Sequence, residues 1–272
     1  MKTSNPVLSR FGQAAERERA AGYAQPGYPQ QYQPYPQQDA PGYSSAVSSA
    51  TAAPMTLDDV VVKTVTMLAL LGGAAAATWV LVPDHLLGAA WGAGALVGLV
   101  LGLIISFSRM ANPALVVAYS IIEGVFVGAV SKAYESAFDG IVLQAVVGTF
   151  GVFFVMTMLY KARVIRATPK FAKIMIAVMG GLFAAMLVNL VLSLFGVNTH
   201  LRDGSPLAIG FSLVCIVVAS LSFVLNFANI EEGVRMGLPQ RYAWTAAFGI
   251  VVGLVWLYLE VLRLLSYLQG DD

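Results

Sequence analysis

Seven long apolar segments occupy the chain from residue 60 onward and limit the folds it can adopt. Each is close to or above the ~20 residues that an α-helix needs to cross the hydrocarbon core of a bilayer. Backbone polar groups find no water there, which favours helices over the alternating strands of a barrel. The sequence therefore predicts an all-α, polytopic membrane protein with seven transmembrane helices. The predicted spans are residues 60–82, 86–107, 113–133, 140–160, 171–195, 206–230 and 242–268.

The composition separates a short polar region from the membrane region. The chain is 58% hydrophobic and 11% charged, whereas soluble domains carry about 25% charged residues. Its net charge of +1 does not indicate nucleic-acid binding. Residues 1–55 include a Tyr/Pro/Gln-rich stretch that cannot bury enough apolar surface to order itself, so we expect a disordered cytoplasmic tail. Residues 56–272 then form the transmembrane domain.

The positively charged residues predict an orientation in the membrane. Connections between the spans are short, so we expect consecutive helices to be antiparallel neighbours. Basic residues gather on the side of the N-terminus, which the positive-inside rule places in the cytoplasm, with the C-terminus outside the cytoplasmic (plasma) membrane. On the N-terminal side lie Lys63, Arg109, Lys161, Arg163, Arg166, Lys170, Lys173, Arg235 and Arg241, against Lys132, Arg202 and Arg263 on the other.

Several classes of membrane enzyme and receptor lack their required residues. A retinal protein needs a lysine in its last helix for the Schiff base, and no lysine follows Lys173. The two histidines, His85 and His200, fall in predicted loops, away from any intramembrane serine nucleophile. With one cysteine, Cys215, the chain offers no cysteine metal site. We therefore expect no enzyme activity, no cofactor and no metal centre.

Two acids lie deep inside apolar spans and are the leading functional candidates. An ionisable group in lipid is costly and by default suggests function. Glu123 lies in the middle of the third span, where it is either protonated or faces water inside the bundle. Glu260 lies in the outer half of the last span. Arg263, three residues on, shares its helix face, so Glu260 is either half of a structural ion pair or a titratable carboxylate on a polar path.

Three segments resemble a known family. Residues 257–265 (LYLEVLRLL) look like the last-helix motif of the Bax inhibitor-1 (YccA-type) membrane proteins. Residues 220–232 (SLSFVLNFANIEE) are similar to the sixth helix of that family, and residues 119–131 (YSIIEGVFVGAVS) occupy the place of its third-helix glycine motif. The order of the motifs and the count of seven spans extend the resemblance over about residues 60–270.

The resemblance implies a fold and an activity. The fold is a bundle in which three helix hairpins surround a central last helix, and the activity is a pH-sensitive calcium leak. Two aspartates of the family share a proton and gate the pore, and an arginine can latch to them. In this chain those positions fall at Asn226 and Glu260, with the basic residue near Arg109. Glu232 matches a glutamate of the family at the cytoplasmic mouth.

This chain departs from the family pattern at the proton-sharing pair. Asn226 cannot ionise, so two coupled carboxylates are absent. Counting from a turn near Gly237 places Asn226 and Glu260 some thirteen residues apart in depth, or ~20 Å. We therefore expect Glu260 to interact with Glu123, Arg263 or an amide nearer the outer side.

Two functions follow as alternatives. The first is a slow leak of calcium or protons, in which neutral Glu123 and Glu260 keep the path closed and their ionisation admits water and cations. The second is a membrane-embedded regulator of a protease or stress response, which acts through its tail and the basic connection 161–173 without transport. Under both alternatives the expected partner of the protein is the lipid bilayer, and the leak adds calcium ions. The sequence identifies no protein partner.

Overall fold

The computed structural model describes residues 53–108, 110–197, 199–201 and 203–270. These residues form seven long α-helices and one short 3-10 helix, Asp84–Leu86. All seven are long and apolar enough to cross a membrane, as predicted. They are α1 (Leu57–Leu81), α2 (Leu87–Phe107), α3 (Pro113–Glu135), α4 (Ile141–Lys161), α5 (Pro169–Leu194), α6 (Pro206–Arg235) and α7 (Tyr242–Gln269).

The helix starts are specified by local sequence. Thr56 and Asp59 form a capping box that satisfies backbone N–H groups at the start of α1. Helices α3, α5 and α6 each begin with a proline that follows a capping side chain: Asn112, Thr168 and Ser205. Proline suits this position because its missing N–H would have no partner within the helix.

Helix α7 is the centre of the bundle. It packs against α6, α1, α4 and α3, whereas α5 packs only against α6 among the described helices. One face of α7 joins an apolar cluster with α1 and α3 that contains Met67, Val116 and Val251. Another face joins a cluster with α6 that contains Phe223 and Leu257. The expected central last helix is therefore confirmed.

Helices α1 and α3 approach closely at two glycines of α3. A Cβ on Gly124 would collide with the carbonyl oxygen of Leu71, and one on Gly128 would lie 2.6 Å from that of Ala75. Small residues allow such backbone contact between helices in lipid. Helices α1 and α3 therefore form a closely packed pair, and both helices contact α7.

The expectation that all consecutive helices are neighbours is wrong at two places. Among the described residues, neither α1 with α2 nor α4 with α5 forms a substantially packed pair. The glycines of α3 allow α1 to pack closely on α3, and both α1 and α4 pack on the apolar surface of α7. Helix α2 instead packs on α3.

Contacts between loops hold each end of the bundle together. Met55 N–H donates to the Leu238 carbonyl at 2.7 Å, which ties the start of α1 to the α6–α7 connection. At the opposite end, Lys132 Nζ donates to the Val82 carbonyl at 2.9 Å and pairs with Asp84. The predicted tail of residues 1–55 lies outside the described residues, apart from residues 53–55.

Candidate functional site

Glu260 lies on the central helix and is almost completely enclosed. Its side chain is 2% exposed. One carboxylate oxygen accepts a hydrogen bond from Arg263 Nη1 at 2.7 Å, and the other accepts from Ser212 Oγ of α6 at 3.3 Å. The i,i+3 spacing places Glu260 and Arg263 on the same face of α7. The acid is therefore tied both within its helix and across the α6–α7 interface.

The Arg263 side chain pairs directly with the Glu260 carboxyl group. Removing one partner from a buried ion pair leaves an uncompensated charge, which is strongly unfavourable. Arg263 is 16% exposed, so its long stem lies along the bundle while its guanidinium reaches Glu260. The Glu260 carboxyl group and the Arg263 guanidinium are therefore direct partners inside the bundle.

Asn226 does not meet Glu260. Its side-chain amide donates to the Gly249 carbonyl of α7 at 3.1 Å. A Cβ at Gly249 would lie 3.1 Å from Asn226 Oδ1, so the glycine leaves room for this contact. Gly249 precedes Glu260 by eleven residues, which corresponds to about 16 Å along the helix. The separation in depth expected from the sequence is thus present, although somewhat smaller than the count suggested.

An apolar seal separates Asn226 and Glu260 along the α6–α7 interface. The Phe223 ring packs against Gly253, where a Cβ would lie 2.9 Å from its Cε1 atom. Phe223 and Leu257 are both fully buried. Along the α6–α7 interface, the polar contact of Asn226 is therefore followed by the apolar residues Phe223 and Leu257. The polar contact of Ser212 with Glu260 comes after them.

Glu123 occupies a separate place, between α2 and α3. It is 9% exposed, and a Cβ on Gly98 of α2 would lie 2.6 Å from its carboxyl oxygen, so glycine makes space for the acid. The Tyr119 hydroxyl interacts with the same carboxyl group. Glu123 and Glu260 therefore have different immediate partners.

The register of α3 against α7 separates the two acids in depth. The rings of Tyr119 and Phe248 lie 5.0 Å apart, and Ser131 Oγ lies 2.7 Å from the Tyr258 hydroxyl. These two contacts place residue 119 of α3 beside residue 248 of α7, and residue 131 beside residue 258. Interpolation between them places Glu123 beside about residue 251, which is nine residues or ~13 Å along α7 from Glu260. Of the three partners expected for Glu260, Arg263 is therefore in contact with it and Glu123 is not.

Of the two remaining sequence candidates, Glu232 and Arg109, the structure describes only the first. Glu232 pairs with Arg235 on the exposed end of α6, with its side chain 47% exposed. Arg109 lies outside the described residues. Among the described residues, no three His, Cys, Asp or Glu side chains converge on one point.

Sequence reasoning missed Ser212 as the partner of Glu260. Folding α6 and α7 back on each other about Gly237 aligns Glu260 with residue 214, which is two residues from Ser212. The choice of Ser212 therefore depends on how the two helices pack, which a count of residues does not give. The carboxylate of Glu135 was also missed: it accepts from the backbone N–H groups of Gly140 and Val142 at the start of α4.

Seven helices that are long and apolar enough to cross a membrane, the last of them central and carrying a buried acid, define a multi-pass membrane protein. A family model described as Bax inhibitor 1 like matches residues 5–270, so the chain belongs to that family. The resemblance of residues 60–270 is thereby confirmed. No curated protein matches the chain.

Proposed function

We propose that this protein is a pH-sensitive cation leak channel of the Bax inhibitor-1 type, rather than an enzyme. The observation that supports the proposal is the Glu260–Arg263 ion pair on the central helix, joined to α6 through Ser212. An ionisable pair in a bundle interior is costly and marks proton or ion pathways. Membership of the Bax inhibitor 1 like family agrees with this proposal.

The path that we propose follows the α6–α7 interface, where polar groups occur at two depths. In the closed state the Phe223 ring fills the space against Gly253 and keeps the interval dry. Opening requires α6 and α7 to separate by enough to move this ring. The Glu260 contacts with Ser212 and Arg263 oppose that movement.

Protonation of Glu260 is the proposed trigger. A neutral carboxyl group no longer compensates Arg263, whose guanidinium then moves towards the membrane surface. The latch across α6 and α7 weakens, and water and cations enter. This reverses, for Glu260, the expectation that ionisation opens the path, because the ionised form is the one held by partners. Glu123 faces α2 and has no part in this path.

Calcium and protons are the candidate ions. Carboxylate and hydroxyl oxygens suit calcium, although one carboxylate and one hydroxyl form only a weak site. The test uses the purified full-length chain in liposomes loaded with a calcium-sensitive dye. Entry above that of empty liposomes, and faster at pH 6 than at pH 8, would support the proposal. Entry equal to that of empty liposomes at both pH values would overturn it.

We further propose the cytoplasmic membrane as the location, with the N-terminus in the cytoplasm and the C-terminus outside. The α4–α5 connection supports this orientation, because its basic residues lie at the same end of the bundle as the start of α1. Single cysteines introduced at Lys170 and at Gln269, with Cys215 replaced by alanine, provide the test. Only the cysteine at 269 should react with an impermeant thiol reagent added to intact cells.

A regulatory role through protein contacts is the second candidate. It is favoured by the basic connection between α4 and α5, where Lys161, Arg163 and Arg166 are exposed and form no ion pair with a described acid. Deleting residues 1–52, which keeps the hydrogen bond of Met55 to Leu238, separates the two functions. A channel should keep its flux, whereas a regulator that acts through the tail should lose its partner.

A further inference from the structure

An apolar cavity of about 490 Å³ lies between α1 and α4 and is independent of the proposed leak path. These two helices do not form a packed pair among the described residues. The cavity occupies the gap between them, with α3 and α7 as its floor. Its volume falls within the roughly 300–1,000 Å³ of ligand sites in proteins.

The lining favours a hydrocarbon occupant. No charged side chain lines the cavity. The hydroxyl groups of its lining are already hydrogen-bonded: Ser131 and Tyr258 bond each other, and Thr149 donates to the Ala145 carbonyl. Apart from these hydroxyls and the Trp79 indole, the side chains that line the cavity are apolar, and water needs two to four polar partners to stay.

The cavity opens sideways towards lipid. Gly72, Ala76 and Val80 of α1 line it and are also exposed on the surface of the bundle, with Val80 at 79%. On the other side of the gap, Phe150 of α4 is 39% exposed. An occupant can therefore enter from the hydrocarbon core by lateral diffusion, without crossing water.

The length and depth of the cavity fit one leaflet. On α1 its lining runs from Leu68 in mid-helix to Val80 near the end, about 18 Å at 1.5 Å per residue. One leaflet supplies half of the roughly 30 Å hydrocarbon core. On α4 the lining begins at Val142, the second residue of the helix, so the cavity starts at the interface and descends to mid-membrane.

We propose that this cavity binds one acyl chain of a phospholipid from the leaflet opposite the N-terminal end of the bundle. The headgroup lies at the level of Lys132 and Asp84, which pair at 2.9 Å beside the end of α1. The bound chain fills the space between α1 and α4 and takes the place of direct helix packing.

Neighbouring glycines of α1 provide a matched test. Gly72 lines the cavity and Gly73 does not, and neither would bring a Cβ within 4 Å of another group. Gly72→Phe places a ring in the cavity, while Gly73→Phe adds the same side chain outside it. Ala76→Phe and Ala77→Phe repeat the comparison one turn further along, in case the first pair fails to fold.

The experiment is native mass spectrometry of the full-length, delipidated protein titrated with dioleoyl phosphatidylglycerol, with oleate in a separate series. The unchanged protein and Gly73→Phe should each bind one phospholipid tightly, and Gly72→Phe should bind it at least about tenfold more weakly, or 1.4 kcal/mol. The proposal is overturned if Gly72→Phe and Gly73→Phe bind the phospholipid equally well, or if both lose it equally. It is also overturned if the protein binds oleate and not the phospholipid.

Discussion

Glu260 and Arg263 form an ion pair one helical turn apart on α7, at 2.7 Å and with both side chains largely withdrawn from the surface. Glu232 and Arg235 have the same spacing on α6, but their side chains are 47% and 74% exposed. Spacing in sequence is therefore the same for the two pairs, while burial differs. The comparison isolates what burial adds to the Glu260 pair.

Replacing Glu260 by glutamine should destabilise the protein far more than replacing Glu232. Glu260→Gln leaves Arg263 uncompensated, and loss of one partner of a buried pair costs about 3–5 kcal/mol, an upper bound here because Arg263 can reach the interface. Glu232→Gln should cost less than about 1 kcal/mol. Thermal unfolding in one detergent measures both, and equal shifts in Tm would contradict the distinction.

Replacing Gly128 by alanine should destabilise the α1–α3 pair. The added methyl group would lie 2.6 Å from the Ala75 carbonyl oxygen, so the backbones must separate, at a cost of about 1–3 kcal/mol. Gly151→Ala on α4 is the control, because its Cβ meets nothing within 4 Å. The control should be neutral or gain up to about 1 kcal/mol from helix propensity. A Gly128→Ala variant as stable as this control would show that the close approach is not required.

The sequence predicts those features of the structure that depend on the length of single segments. The seven apolar runs determine the helices, because the bilayer leaves the backbone no alternative. The wide separation of Asn226 from Glu260 follows from counting residues about one turn. Both results depend only on local length and on the fixed rise of a helix.

The partners across helices could not be predicted in this way. Ser212 bonds Glu260 across the α6–α7 interface, and the packing of that interface depends on contacts such as Phe223 against Gly253. Nothing local to α1 indicates that it packs on α3 rather than α2. The apolar cavity between α1 and α4 likewise arises from two helices that do not pack together, which no single segment reveals.

Shortening Phe223 should open the proposed path. Phe223→Ala removes the ring that packs against Gly253, so calcium entry into proteoliposomes should rise several-fold at pH 8, where the unchanged protein is closed. Phe154→Ala is the control, since Phe154 is 59% exposed on the outer surface of α4. Loss of the ring from a full core costs about 3–5 kcal/mol, so Phe223→Leu provides a milder variant. An unchanged flux in a folded Phe223 variant would place the path elsewhere.

The acid in the connection between α5 and α6 should not contribute to the pH response. Hydrogen bonding by His200, and then by Ser205, lowers the pKa of Asp203 from 3.8 to about 2. Because the pKa is lowered on folding, any stabilisation by this charge is complete above 3.8 and is lost as the pH falls through about 2. Between pH 6 and pH 8 its charge does not change. Asp203→Asn should therefore keep the ratio of flux at pH 6 to flux at pH 8; loss of that ratio would implicate this loop in gating.

The measurement that tests the central claim most directly is calcium flux into proteoliposomes at pH 6 and pH 8, for the unchanged protein, Glu260→Gln and Glu123→Gln. Glutamine at 260 abolishes the ion pair at every pH, so we predict a flux that is equal at the two pH values and at least as high as that of the unchanged protein at pH 6. Glu123→Gln should keep the pH dependence, because Glu123 lies outside the α6–α7 interface. A calcium flux that still depends on pH in Glu260→Gln would contradict the proposed latch.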